Sequence, residues 1–156
     1  MDCWAVVEIP KGSYNKYELD QNGELVLEWV SPVPFVQNYG FIAETLCADG
    51  DAVDVIIASS HALPPRTKLQ VRPIAVLHMI DDGEVDNKLV AVACADPSMK
   101  HAEKVDDIEC LSEAYIEQFL TDMKNTLGAV ATFNGWGNAQ EAYALIEEAR
   151  LLYAGN

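Results

Sequence analysis

Six residues, Asp49-Gly50-Asp51-Ala52-Val53-Asp54, place three carboxylates on a turn that runs straight into a continuously apolar, β-branched segment, Val53 to Ala58. A chain can fold around such charge density in two ways. The turn is solvated, or something positive neutralises it. The segments around it are strand-like: Cys3 to Ile9, Glu24 to Val30, the long alternating Lys68 to Ile80, and Leu89 to Cys94. Turn residues separate them, at Pro10-Lys11-Gly12-Ser13, Gln21-Asn22-Gly23, Pro64-Pro65 and Asp81-Asp82-Gly83. Such spacing predicts a barrel or sandwich.

The last third changes period. Ser112 is a helix N-cap, and Tyr115, Ile116, Phe119, Leu120, Met123 and Leu127 follow at helical spacing up to Gly128. A second helix starts at Asn138, with Glu141 completing a capping box. Its apolar face is Ala142, Leu145, Ile146, Ala149 and Leu152. The predicted fold is α+β: a β-barrel followed by two C-terminal helices. The 156 residues read as a single domain, residues 1–156.

Composition narrows the function. Ten Lys+Arg stand against 25 Asp+Glu, a net charge of −15. That balance repels nucleic acid and anionic membranes. No apolar run reaches the roughly 20 residues of a membrane span. No secretory signal is visible at Met1-Asp2-Cys3-Trp4. Cys3, Cys47, Cys94 and Cys110 show neither C-x-x-C nor zinc spacing, which predicts free thiols and a cytoplasmic protein. His61, His78 and His101 form no H-E-x-x-H pair and have no nucleophile elbow nearby.

All-oxygen clusters suit hard cations such as Mg²⁺ or Ca²⁺. An EF-hand does not fit: its fifth and twelfth positions would be Val53 and Ser60, and strands flank the turn. A second acidic turn, Asp81-Asp82-Gly83-Glu84-Val85-Asp86, precedes Asn87-Lys88 and reads alone as a solvated hairpin tip. Glu8 is the only charge inside the strand Cys3 to Ile9, and it faces either outward or into a site. Trp4, Phe35, Phe41 and Trp136 read as core.

Together these segments resemble the family I soluble inorganic pyrophosphatases. The resemblance runs from about Val6 to Leu152. It rests on Val6-Val7-Glu8-Ile9-Pro10, Lys16-Tyr17-Glu18, Asn38-Tyr39-Gly40-Phe41-Ile42, Asp49 to Asp54, Arg72 to Leu77, the acidic hairpin Asp81 to Lys88, and Gly135-Trp136. It implies a small closed, OB-like β-barrel of about five strands with two C-terminal helices, and hydrolysis of inorganic diphosphate to two phosphates with several Mg²⁺ ions. Asp49, Asp54 and Asp86 would hold the metals that activate water, and Asp81 and Glu8 those that arrive with substrate. Asp51 would orient the water or accept its proton. Lys16, Lys88 and Lys124 would contact phosphate, with Tyr39 and Glu18 in the same cavity. A homo-oligomer, a hexamer in bacterial members, is implied as well.

Three positions depart from the family pattern. Ala52 replaces a proline of the acidic turn, Trp29 stands where a phosphate-gripping arginine is usual, and Met123 replaces a tyrosine beside Lys124. The carboxylates and lysines are retained while the phosphate clamp is altered. A non-catalytic or altered-substrate protein that binds divalent metal and phosphate-containing ligands is the alternative reading.

Overall fold

The computed structural model describes residues 3–155. Among the described residues, nine strands follow in chain order: β1 (Trp4–Ile9), β2 (Asn15–Leu19), β3 (Leu25–Val30), β4 (Asn38–Ile42), β5 (Asp54–Ala58), β6 (Lys68–Asp81), β7 (Glu84–Val85), β8 (Lys88–Ala93) and β9 (Ala131–Asn138). Helices α1 (Glu113–Thr126) and α2 (Ala139–Ala154) complete the fold, with 3-10 turns at Pro97–Met99 and Val105–Asp107.

Five strands close a ring in the order β1-β4-β5-β8-β6 and back to β1. Closure removes the exposed sheet edges that an open sheet of this size would carry. Within the ring β5 and β8 run parallel, and the other neighbours are antiparallel. β6 is the spine. Its extra residue Ile74, a bulge against β8, bends the 14-residue strand. β6 then also pairs with β7 and β9. β2 and β3 form a separate two-stranded ribbon.

The barrel, the two C-terminal helices and their caps agree with the sequence reading. Ser112 Oγ accepts from Tyr115 N at 3.0 Å. Asn138 and Glu141 cap each other at 3.1 and 2.9 Å. β2, β4, β7 and β9 are additions. One apolar cluster joins ring residues such as Ile56, Leu77 and Val90 to Ile116, Phe119 and Leu120 of α1. A second joins Val7, Ile42 and Val55 to Ala142 and Ile146 of α2. At Gly40 the β1 and β4 backbones approach so closely that a Cβ would lie 1.8 Å from Val6 O.

Some side chains fall elsewhere than expected. Phe35 is buried, Phe41 and Trp136 are half-buried, and Trp4 is 43% exposed. Strand alternation explains Trp4: Ala5 and Val7 take the inner positions, leaving its ring 5.8 Å from Lys68 Nζ. All four thiols are free, but only Cys3 is buried, and Cys94 and Cys110 are exposed. Leu152, on the predicted apolar face of α2, is 45% exposed.

Candidate active site

The parallel pairing of β5 with β8 makes their first residues, Asp54 and Lys88, register partners. Lys88 Nζ donates to Asp54 Oδ2 at 2.7 Å and to Asp86 Oδ1 at 2.9 Å. It also lies 5.6 Å from the centroid of the Tyr39 ring. Lys88 is 4% exposed. Burial alone would favour the neutral amine, but Tyr39, Asp54 and Asp86 outweigh it and hold the ammonium well above its ordinary pKa. Burial also lifts the Tyr39 hydroxyl above its usual range. A buried cation thus ties two carboxylates and an aromatic ring at one end of the barrel.

Lys16 gathers a second unit. Glu8 is the extra residue of a bulge in β1, between Val7 opposite Gly40 and Ile9 opposite Tyr39. Glu28 is the extra residue of a bulge in β3, opposite the step from Lys16 to Tyr17. Bulges re-aim side chains, and Lys16 Nζ lies 3.9 Å from Glu8 Oε2 and 3.5 Å from Glu28 Oε2. Burial pushes the Glu8 carboxyl up to about 7, against the pull of Lys16. Glu28 was missed from sequence, although it is the only charge between Leu25 and Gln37. The signal was the one that singled out Glu8: a lone charge in an apolar strand.

The acidic hairpin resolves into a tip and a base. Asp82 and Gly83, with φ of 48° and 85°, form the two-residue loop between β6 and β7 and are exposed. At the base, Asp81 Oδ2 accepts from Lys124 Nζ of α1 at 2.5 Å, and Asp86 reaches Lys88. Met123, one residue before Lys124, is buried against the α1 cluster rather than turned toward these groups.

The first acidic turn pivots on Gly50, at φ 91°, and Asp51 N donates to Asp49 Oδ1 at 2.9 Å. Asp49, Asp54 and Asp86 line one cavity of about 220 Å³, with Cys47 and Glu148 and an apolar wall from Leu145 and Ala149 of α2. Asp51 is exposed on the turn and is not part of that wall. Glu18 is exposed on β2 and forms no hydrogen bond or ion pair with the other site residues. Among the described residues, no three His, Cys, Asp or Glu side chains are drawn together tightly enough to chelate one ion in this arrangement. The structure instead interleaves carboxylates with ammonium groups. Trp29 packs partly against the α1 cluster and is the register partner of Lys16.

Oxygen donors suited to hard cations, alternating with lysines suited to phosphoryl oxygens on a closed five-stranded barrel, define a protein class that handles phosphate anions together with metal. The chain belongs to the inorganic pyrophosphatase family, whose model matches residues 5–154. An inorganic pyrophosphatase of Leifsonia xyli subsp. xyli is 39% identical over 147 residues, covering 92% of this chain and 90% of the relative. One from Haloferax volcanii is 38% identical over 159 residues, covering 99% and 90%. The crystal structure of an inorganic pyrophosphatase from Neisseria gonorrhoeae superposes with a TM-score of 0.83 at 31% identity, covering 97% of this chain and 90% of that one.

Proposed function

We infer that this chain is a metal-dependent inorganic diphosphatase, hydrolysing inorganic diphosphate to two phosphates. The observation that carries the reading is Lys88, a buried ammonium held between Asp54 and Asp86 at 2.7 and 2.9 Å. That unit offers oxygen ligands and a phosphate-binding cation within one contact.

We propose Mg²⁺ as the ion, with several per site. The donors fit it: they are carboxylate oxygens, three of them on one cavity wall at Asp49, Asp54 and Asp86, with Glu8 close enough to feel the Asp54 charge and Asp81 on the same hairpin as Asp86. When bound, the metal neutralises phosphoryl charge and makes water acidic enough to attack near neutral pH. The chain's own residues supply the rest. Asp49, Asp54 and Asp86 hold and orient on one side, and Glu8 and Asp81 on the substrate side. Lys16, Lys88 and Lys124 exchange their carboxylate partners for phosphoryl oxygens as the charge balance shifts. Tyr39, half-buried beside Lys88, orients it and excludes water. Asp51, on the exposed turn, orients the attacking water or takes its proton, and Glu18 assists at the ribbon. The water oxygen bonds to one phosphorus as the bridging P–O bond breaks, and the bridging oxygen leaves on the second phosphate.

A homo-oligomer, hexameric as the resemblance implies, belongs to the same reading, and light scattering tests it. No described helix is long and apolar enough to cross a membrane.

The decisive experiment is phosphate release from diphosphate with Mg²⁺ and with chelator, in the presence of nucleotides and tripolyphosphate as competitors. Metal-dependent release with diphosphate preferred is the expected result. No metal-dependent release, or preferred cleavage of the larger substrates, overturns the reading.

A further inference from the structure

Arg66 belongs to the turn that leads into β6, and its backbone sits at φ 69°. Glycine adopts that conformation freely, whereas an arginine adopts it against its own Cβ. The turn is anchored on both sides of the residue. Arg66 N donates to Val7 O at 2.7 Å, and Val7 N donates to Thr67 O at 3.0 Å. Val7 directly precedes the Glu8 bulge.

From this anchor the guanidinium lies over Phe41, with Cζ 5.7 Å from the ring centroid. Phe41 is the register partner of Asp54 across β4 and β5. Arg66 therefore flanks the ground between Glu8 and Asp54, and its charge is among those felt at Glu8.

The hydrogen-bonding state of this side chain sets it apart. Nε is buried with no partner, and an orphaned buried donor calls for an explanation. The other cations of the site are engaged: Lys16 by Glu8 and Glu28, Lys88 by Asp54 and Asp86, Lys124 by Asp81. Among the described residues of this site, Arg66 is the cation whose donors are uncommitted. Its planar fork matches two oxygens of a phosphoryl group, and an aromatic face beneath it restricts its orientation before a ligand arrives.

We propose that Arg66 is a phosphate-binding residue of this site, taking the oxygens of one phosphoryl group of the diphosphate, or of the phosphate it becomes, on the Glu8 side. The proposal rests on the diphosphatase reading for its substrate. It gives the altered clamp a cation from outside the Leu25 to Gln37 stretch, which holds no arginine or lysine.

The informative variant is Arg66→Gly. It removes the guanidinium and at the same time suits the left-handed backbone, so the folded state is retained. The expected result is a Tm equal to or above that of the parent, with KM for diphosphate raised about 10- to 100-fold and kcat changed less. Arg66→Lys, with the charge but not the fork, falls between the two. A second readout is independent of turnover: the rise in Tm given by inorganic phosphate in the presence of Mg²⁺ should shrink in Arg66→Gly. Unchanged KM together with an unchanged phosphate-induced rise overturns the proposal, whatever happens to Tm. A parent protein that fails to hydrolyse diphosphate overturns the functional reading instead, while the phosphate-induced rise still decides the role of Arg66.

Discussion

Asp54 and Lys88 stand opposite each other at the start of two parallel strands, and the lysine that Asp54 binds at 2.7 Å is shared with Asp86 at 2.9 Å. Two carboxylates are thus joined by one buried proton donor. Asp54→Asn keeps the shape and an acceptor oxygen for Lys88 while removing a charge. Burial, working against Lys88, raises the Asp54 pKa on folding, so losing the charge should leave the fold intact. Phosphate release should fall at least about 100-fold. The parent's Tm should rise with millimolar Mg²⁺ over chelator at matched ionic strength, because a ligand of the folded state stabilises it. The rise should be smaller in the variant. Near-normal phosphate release from a folded Asp54→Asn protein would remove Asp54 from the metal site.

Gly40→Ala tests how the ring closes. The added Cβ would meet Val6 O at 1.8 Å and Val6 C at 2.8 Å, and both are backbone atoms of the neighbouring strand. No rotamer change relieves that contact, so β1 and β4 must separate beside the Glu8 bulge. A loss above about 3 kcal/mol is expected, read as the shift in urea midpoint. A variant with the parent's midpoint would mean that β1 and β4 shift apart at little cost.

Met123→Tyr asks whether a hydroxyl at this position can serve the phosphate site. Met123 is 7% exposed and packed with Phe119 and Leu120. A larger, polar-tipped side chain should overpack that cluster and destabilise by about 1–3 kcal/mol, with no gain in kcat/KM for diphosphate. A stable variant with raised kcat/KM would place this face of α1 toward the cleft.

What could be read from sequence was what is local. Ser112, Asn138 and Glu141 announce helix starts within four residues of themselves, and all three cap as expected. The acidic turn was visible because its charges are consecutive. Register was not visible. That Glu8 and Glu28 are bulge residues, both aimed at Lys16, depends on which residue each neighbour pairs with across the sheet. β9 was hidden because Gly135, Gly137 and two asparagines interrupt its alternation. The pairing of Asp81 with Lys124 spans 43 positions and is made by tertiary packing. Trp4 was misplaced because hydrophobicity does not say which face of a closed strand a residue takes.

Asp96→Asn probes acid stability at the opposite end of β8. The Asp96 carboxylate accepts from Ser60 N and Oγ at 2.7 Å each, and from Ser98 N and Oγ at 3.0 and 2.7 Å. These donors, Ser60 N foremost, hold its carboxyl well below the ordinary carboxylate range. A carboxyl whose pKa is lowered by folding contributes stability above its unfolded value, about 3.9, and loses it as pH falls toward the native value. The variant should therefore be less stable than the parent by about 1 kcal/mol at pH 7. The gap should narrow as pH drops below about 4. Denaturant unfolding across that range checks it, and a gap of constant size would mean that the charge is not what these serines recognise.

The division between ring and ribbon has a dynamic consequence. Asp54 and Lys88 are built into strands with neighbours on both sides, so freeing their backbone means opening the barrel itself. Lys16, Glu28 and Trp29 sit on β2 and β3, which pair only with each other among the described strands. Such a hairpin has its own, smaller opening free energy. The ring's share of the charged cluster is thereby fixed at the stability of the whole molecule, while the ribbon's share fluctuates on a shorter clock. Amide exchange should separate the two, with the β5 and β8 amides exchanging only through global unfolding and the ribbon amides exchanging long before it.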